Sequence, residues 1–209
     1  MLGKLLLYLL LSLVAFTMLM PFVWMLLMSF KTYAEATAIP LKVLPSRVTL
    51  DNFRQVLMQM NFALYMRNTL FVTVATTVVQ LFFCSLTAYG FSRFRFPGRD
   101  VMFFLFISLL MVPAQMVMIP RYFMMVQFRW IDSYMALIVP HYVSIYGTFL
   151  LRQYFMALPQ ELVDSAKIDG CSYVRIYTSI LMPLMTNALL ALAVYTVVYN
   201  WNDMMWPLM

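Results

Sequence analysis

What this sequence has least of is charge. Of its 209 residues only 11% are Asp, Glu, Lys or Arg, while 64% are hydrophobic; a soluble domain carries about 25% charged residues to cover its surface. So little polar material excludes an aqueous globule and makes the bilayer the solvent. Glycine is sparse too. The five glycines stand at 3, 90, 98, 147 and 170, too scattered for a G-x-x-x-x-G-K-[ST] phosphate loop, so ATP hydrolysis is not expected on this chain. Cys84 and Cys171 lie far apart and outside any C-x-x-C or Cys/His spacing, which indicates neither a zinc site nor a disulfide framework. No catalytic triad, paired-carboxylate site or metal constellation is evident, and no catalytic, cofactor-binding or metal-binding residue is assigned. The net charge of +6 is dispersed singly or in short clusters rather than as a stripe. Anionic headgroups, not nucleic acid, are the expected counterpart.

Charge-free intervals carry the clearest positive signal, because a charge at the bilayer centre costs about 2.5–3.5 kcal/mol on insertion scales. Five such intervals occur, at 5–30, 68–92, 101–120, 133–151 and 176–202, each long enough as helix to cross about 30 Å of hydrocarbon. The expected fold is all-α: a polytopic transmembrane helix bundle of about five spans forming one domain over 1–209. The first interval exceeds a signal-peptide h-region and four more follow, which favours an anchor over a cleaved leader. Pro113 and Pro140 fall inside the third and fourth intervals and are expected to kink them. The 21 methionines are spread over all intervals and read as substitutes for leucine, not as a metal path. No internal repeat is visible, so the symmetry common in secondary transporters finds no support.

Basic residues do not orient the chain by themselves, since seven fall on each side whichever way it is threaded. Between the first two intervals, Leu50, Phe53, Leu57, Met60 and Leu64 recur at three- and four-residue steps. They predict an amphipathic helix, capped by Thr49 or Asp51, in the interface or packed on the bundle.

The most structured polar stretch lies between the fourth and fifth intervals, over about 158–183. Pro159 suits a first helical position, Glu161 and Asp164 suit the positive end of a helix, and Gly170 supplies a left-handed stop. A second helix over 172–182, halted by Pro183, completes a helix-turn-helix. This stretch resembles the "EAA" coupling loop of ABC importer permeases: Glu-Ala-Ala, three residues, Gly, then an apolar residue before Pro. Here the pattern falls on Asp164-Ser165-Ala166, Gly170 and Met182-Pro183, with Asp for Glu, Ser for Ala and Met for Leu. Further stretches are similar to the smaller permease subunit of the carbohydrate (maltose-type) branch. They include Pro21-Phe22-Val23-Trp24-Met25, Ala88-Tyr89-Gly90-Phe91-Ser92-Arg93-Phe94, Trp201-Asn202 and Trp206-Pro207-Leu208, in the family's order.

The resemblance implies a permease subunit of an ATP-driven importer for a sugar or related polyol, in the cell membrane of a prokaryote. It places the coupling loop and the N-terminus in the cytoplasm. It implies as partners a homologous second permease, an ATP-binding cassette dimer holding the ATP and Mg, and an extracytoplasmic binding protein, besides membrane lipid. Glu161, Leu162, Asp164, Ser165, Ala166, Asp169, Gly170 and Pro183 become the ATPase-coupling residues, with Leu162 and Ala166 on one contacting face. Family members continue beyond the Trp-Asn region into one more span, so the chain is expected to lack the last one. His141, Asn200, Trp201 and Asn202 could line a substrate path, although an interfacial belt is the favoured reading of the Asn200–Asn202 group near its span end, and His141 equally fits a neutral side chain hydrogen-bonded between helices. Two other readings stand beside this one: an ATP-independent channel or secondary transporter, which would carry more charge within its spans, and a non-functional truncated permease.

Overall fold

In a computed structural model, which describes residues 2–40 and 42–209, the chain is all-helical, with no strand among those residues. Twelve α-helical segments follow one another: α1 Leu2–Ser29, α2 Tyr33–Ala36, α3 Asp51–Gln59, α4 Phe62–Arg93, α5 Arg99–Ser108, α6 Ala114–Gln127, α7 Tyr134–Ile138, α8 Ile145–Ala157, α9 Glu161–Ile168, α10 Tyr173–Arg175, α11 Met182–Leu184 and α12 Thr186–Trp201. Among the described residues only α1 and α4 are long and apolar enough to cross a bilayer alone; three bent helix pairs raise the number to five if each crosses once. The five charge-free intervals map onto these, one apiece. Two compact units, Met1–Met66 and Arg67–Met209, divide the chain.

In the first unit α1 is apolar on every side and carries Pro21 without a break, as suits a helix solvated by lipid. Its last carbonyls would be orphans; the Asn52 amide donates to Ser29 O at 2.9 Å and Lys31 O at 2.7 Å. Lys31 is almost wholly buried, its ammonium donating to the Lys42 carbonyl beside the Trp24 ring. The backbone N–H of Ser46 donates to Glu35 Oε1 at 2.6 Å and holds that carboxyl below its usual range. The amphipathic helix expected through Leu64 is shorter. It stops where Met60 turns extended, so Leu64 belongs to α4. Its start is tied by Thr49 and Asp51 together: the Asp51 N–H donates to Thr49 Oγ1 at 3.1 Å, and that hydroxyl donates to Asp51 Oδ2 at 2.7 Å.

The second unit is organised on α4. Thr73, Thr76, Thr77, Gln80, Cys84 and Ala88 form its buried stripe, small or polar side chains that let neighbouring helices close in lipid. The main core joins this stripe to Leu151 and Phe155 of α8, Ile176 and Leu181, and Leu192 of α12. Gly147 allows the closest approach: a Cβ there would lie 3.0 Å from Leu192 Cδ1 and 3.2 Å from Cys84 Sγ. Gly147→Val should therefore wedge α8 from α12 and lower stability by about 1–3 kcal/mol, the usual overpacking cost. Thermal unfolding of the detergent-solubilised protein measures it, and an unchanged midpoint would contradict that packing.

Three breaks shape the unit. At Val112–Pro113 the third interval turns by 101°, far more than a kink, so 101–120 is not one straight span; α6 continues past it to Gln127. Around Pro140 a 3₁₀ turn gives a 41° bend. The third differs from expectation. Pro183 does not halt its helix; the run Tyr173–Leu184 continues through it and turns by 77° at Met185. Wide π turns over Ile176–Leu181 precede the proline, relieving the clash its ring makes with the i−4 carbonyl in a regular α-helix.

Candidate functional site

Two places gather the residues singled out by sequence. The first is the elbow from Leu158 to Met185. Leu158 is extended and Pro159 precedes the helix rather than opening it; α9 begins at Glu161 behind Gln160, whose carbonyl accepts from Val163 N at 2.9 Å and Asp164 N at 3.1 Å. Glu161 and Asp164 occupy the first turn, where the helix dipole favours negative charge. The helix closes with a Schellman motif. Cys171 N donates to Ala166 O at 2.9 Å and Gly170 N to Lys167 O at 3.0 Å, while Gly170 sits at φ +77°, the left-handed position glycine takes without penalty.

Leu162 and Ala166 do not form an exposed face together. Ala166 is buried together with Val163 in the main core, and Leu162 is half-buried. A short helix lying on a bundle must turn its small apolar side chains inward. The outward face consists of Glu161, Asp164, Ser165, Lys167 and Asp169, with Ile168 87% exposed. Ile168 was not singled out by sequence; its place one turn beyond Asp164 at the helix end was the available sign.

Arg93, at the end of α4, holds the elbow. Its guanidinium donates to Gln160 Oε1 at 2.6 Å, to Leu158 O at 2.9 Å and to Phe155 O. Gln160 in turn donates to Asp164 Oδ1 at 3.2 Å. Arg152 ties α8 to the start of α5, with Nη2 3.7 Å from Asp100 and its guanidinium over the Phe103 ring. On the far side of Gly170, Tyr177 hydroxyl and Ser85 Oγ of α4 are 2.7 Å apart in the core, and Tyr89 OH donates to Tyr173 O at 3.1 Å. The segment after the turn is thus clamped to α4. Pro183 lies beyond this clamp, on exposed α11 rather than beside α9.

The second place is a cavity of about 470 Å³ bounded by α4, α6, the start of α8 and α12. Both proline breaks open onto it, through Val112 and Ala114 on one side and Pro140 and His141 on the other. Irregular backbone at membrane depth is tolerated where it lines a cavity. His141 donates Nδ1–H to the Leu137 carbonyl at 3.1 Å. Asn200 also lines the cavity, but Trp201 and Asn202 do not; both are exposed, and Asn202 bonds back to Val198 O of its own helix at 2.7 Å. Each step along a helix turns about 100°, so one residue past Asn200 already faces elsewhere. The sequence reading missed Gln80, Ser144, Tyr195, Thr196 and Tyr199. The pairs Tyr195/Tyr199 and Thr196/Asn200, each four apart in an apolar helix, were the legible sign. No group of three or more His, Cys, Asp or Glu side chains suited to a metal occurs among the described residues.

Comparison with known proteins bears on both places. Residues 80–209 match the family described as binding-protein-dependent transport system inner membrane component. The arabinooligosaccharides transport system permease protein AraQ of Halalkalibacterium halodurans is 33% identical over 198 residues, covering 93% of this chain and 71% of that protein. AraQ of Bacillus subtilis is 39% identical over 141 residues, with 68% and 50% covered. The sn-glycerol-3-phosphate transport system permease protein UgpE of Salmonella choleraesuis is 35% identical over 176 residues, with 81% and 63% covered. The chain thus spans between 50% and 71% of the length of these relatives. A crystal structure of a bacterial ABC transporter involved in the import of the acidic polysaccharide alginate superimposes with a TM-score of 0.86 at 25% identity, over 97% of this chain and 72% of its counterpart. With the helix order, the capped elbow and this agreement in hand, the chain belongs to the binding-protein-dependent transport system inner membrane components, a family of membrane permeases.

Proposed function

We propose that this chain is a permease subunit of an ATP-driven importer, forming part of the membrane path for a sugar or sugar-derived polyol. The outward face of α9, Glu161 to Asp169, docks a separate ATP-binding cassette subunit in the cytoplasm. A second, related permease completes the path, and an extracytoplasmic protein delivers the substrate. The observation that carries this reading is the elbow itself: a short helix with an exposed, mostly charged face and one bare isoleucine, held to α4 through Arg93 and to the core through Val163 and Ala166. Such a protrusion transmits force without doing chemistry. ATP and Mg belong to the partner. Relatives named for sugar and glycerol phosphate transport, and a fold shared with an ABC importer, support the same reading over a channel.

Its sidedness is testable. Ile168→Cys, in a background with Cys84 and Cys171 replaced by alanine, should react with a membrane-impermeant maleimide in inside-out vesicles and resist it in intact spheroplasts. Labelling from the outer side would put α9 beyond the reach of any ATPase and end the importer reading.

A further inference from the structure

Resting on that importer reading, we propose that the cavity between α4, α6, α8 and α12 is a ligand-binding site of this chain. Its ligand is a small soluble polyhydroxylated compound bearing an anionic group, such as a sugar acid or a polyol phosphate. The cavity lies well along α4 from its end. Gln80 on its wall is 13 residues from the end of α4 at Arg93, or about 20 Å along the helix. Its volume of about 470 Å³ falls in the range of small-molecule sites.

Three features point to the ligand's chemistry. First, polar groups on the wall lack partners. Thr196 is only 2% exposed and its hydroxyl is unbonded, as is the Asn200 amide nitrogen. An unmet buried donor costs about 1–3 kcal/mol, a cost removed when side-chain rotation presents it to a ligand hydroxyl. Gln80 adds a second amide. Second, the α12 side of the cavity is aromatic: Tyr195 packs 4.8 Å from the Tyr146 ring and stacks with Tyr199. Such faces suit the C–H side of a sugar or polyol, while the phenol oxygens meet its hydroxyls. Third, Arg121 is the one Lys or Arg among the residues lining the wall, and among the described residues its guanidinium makes no hydrogen bond or ion pair, resting over the Trp206 ring at 5.4 Å; no carboxylate lines the cavity, and Asp203 stands beside Trp206, accepting from that residue's backbone N–H at 3.3 Å. A guanidinium with no ion-pair partner on the wall of such a cavity matches a carboxylate or phosphate on the ligand.

The test is equilibrium binding to the assembled transporter in phosphatidylcholine nanodiscs, using two pairs of radiolabelled probes: galacturonate with galactose, and glycerol 3-phosphate with glycerol. At least one anionic probe should bind tenfold or more tightly than its neutral counterpart. Arg121→Gln should erase that preference. Thr196→Val and Asn200→Leu should weaken both members of the pair at least fivefold, with melting temperatures unchanged or raised because an unpaired group has gone. Equal binding of neutral and anionic probes, or a preference surviving Arg121→Gln, overturns the proposal. So does loss of binding when phosphatidylglycerol replaces phosphatidylcholine, which would assign the cavity to a lipid headgroup. ATP-driven uptake is followed on the same preparations. Uptake with unchanged KM in the Thr196 and Asn200 variants sinks this site and leaves the importer reading intact. Selective binding without any ATP-driven uptake does the reverse.

Discussion

Replacing Gly170 by valine is expected to cut ATP-driven uptake by tenfold or more while the partner ATPase keeps hydrolysing. A Cβ at this position meets nothing within 4 Å, so the penalty is not a clash with neighbours. It comes from the backbone: at φ +77° an L-residue is disfavoured by about 1–2 kcal/mol, more when β-branched. A difference of that size changes the population of the native turn by about five- to thirtyfold. The Schellman bonds from Gly170 and Cys171 would be first to go, and with them the angle between α9 and α10. Gly170→Asn, which tolerates the left-handed region, should keep most of the activity. Reconstituted vesicles report uptake and hydrolysis together. Full uptake by the valine variant would show that the turn's handedness does not matter for transport.

Arg93→Ala should be the most damaging single change at the elbow. The guanidinium satisfies two backbone carbonyls at the end of α8 as well as the Gln160 side chain. Hydrogen bonds to charged groups contribute about 1.5–3 kcal/mol each. The lost bonds overlap in one side chain, so a net destabilisation of about 2–4 kcal/mol is the reasonable figure. Lysine should recover only part of it, because an ammonium lacks the planar fork that reaches several acceptors at once. Arg95→Ala, two residues on and exposed, is the matched control and should change little. Limited proteolysis between Leu158 and Gly170, with thermal unfolding, separates the variants. Equal behaviour of the Arg93 and Arg95 substitutions would remove Arg93 from this role.

Much of this organisation could be read before any coordinates. Spans were legible because a missing charge is a blunt signal: each of the five intervals without Asp, Glu, Lys or Arg is mostly helix, three of them broken by a bend. The turn at Gly170 was legible because helix stops are written locally, in a glycine and the acidic first turn before it. What escaped reading is set by tertiary packing. Val163 and Ala166 face inward because the core around Ile176 and Phe155 is there to receive them, and periodicity gives spacing without saying which face is covered. Pro183 looked like a terminator because one residue cannot announce the wide turns upstream that accommodate it. The cavity was half visible. His141 and Asn200 were noted, whereas Gln80 and Thr196 join them only once the α5–α6 and α7–α8 breaks bring separate helices round one space.

The 77° turn at Met185 has a mechanical consequence. Met185 is buried to 2% exposure and stands between two arms of different length, the run Tyr173–Leu184 and the longer α12. That is the geometry of a bell crank, with its fulcrum set in the core. From Thr186 to Asn200 the longer arm measures about 21 Å at 1.5 Å per residue. A swing of about 10° about the fulcrum would carry Asn200 through about 4 Å, more than the length of a hydrogen bond. Any stroke about that turn would thus be felt most where α12 borders the cavity, in proportion to the number of residues between Met185 and Asn200.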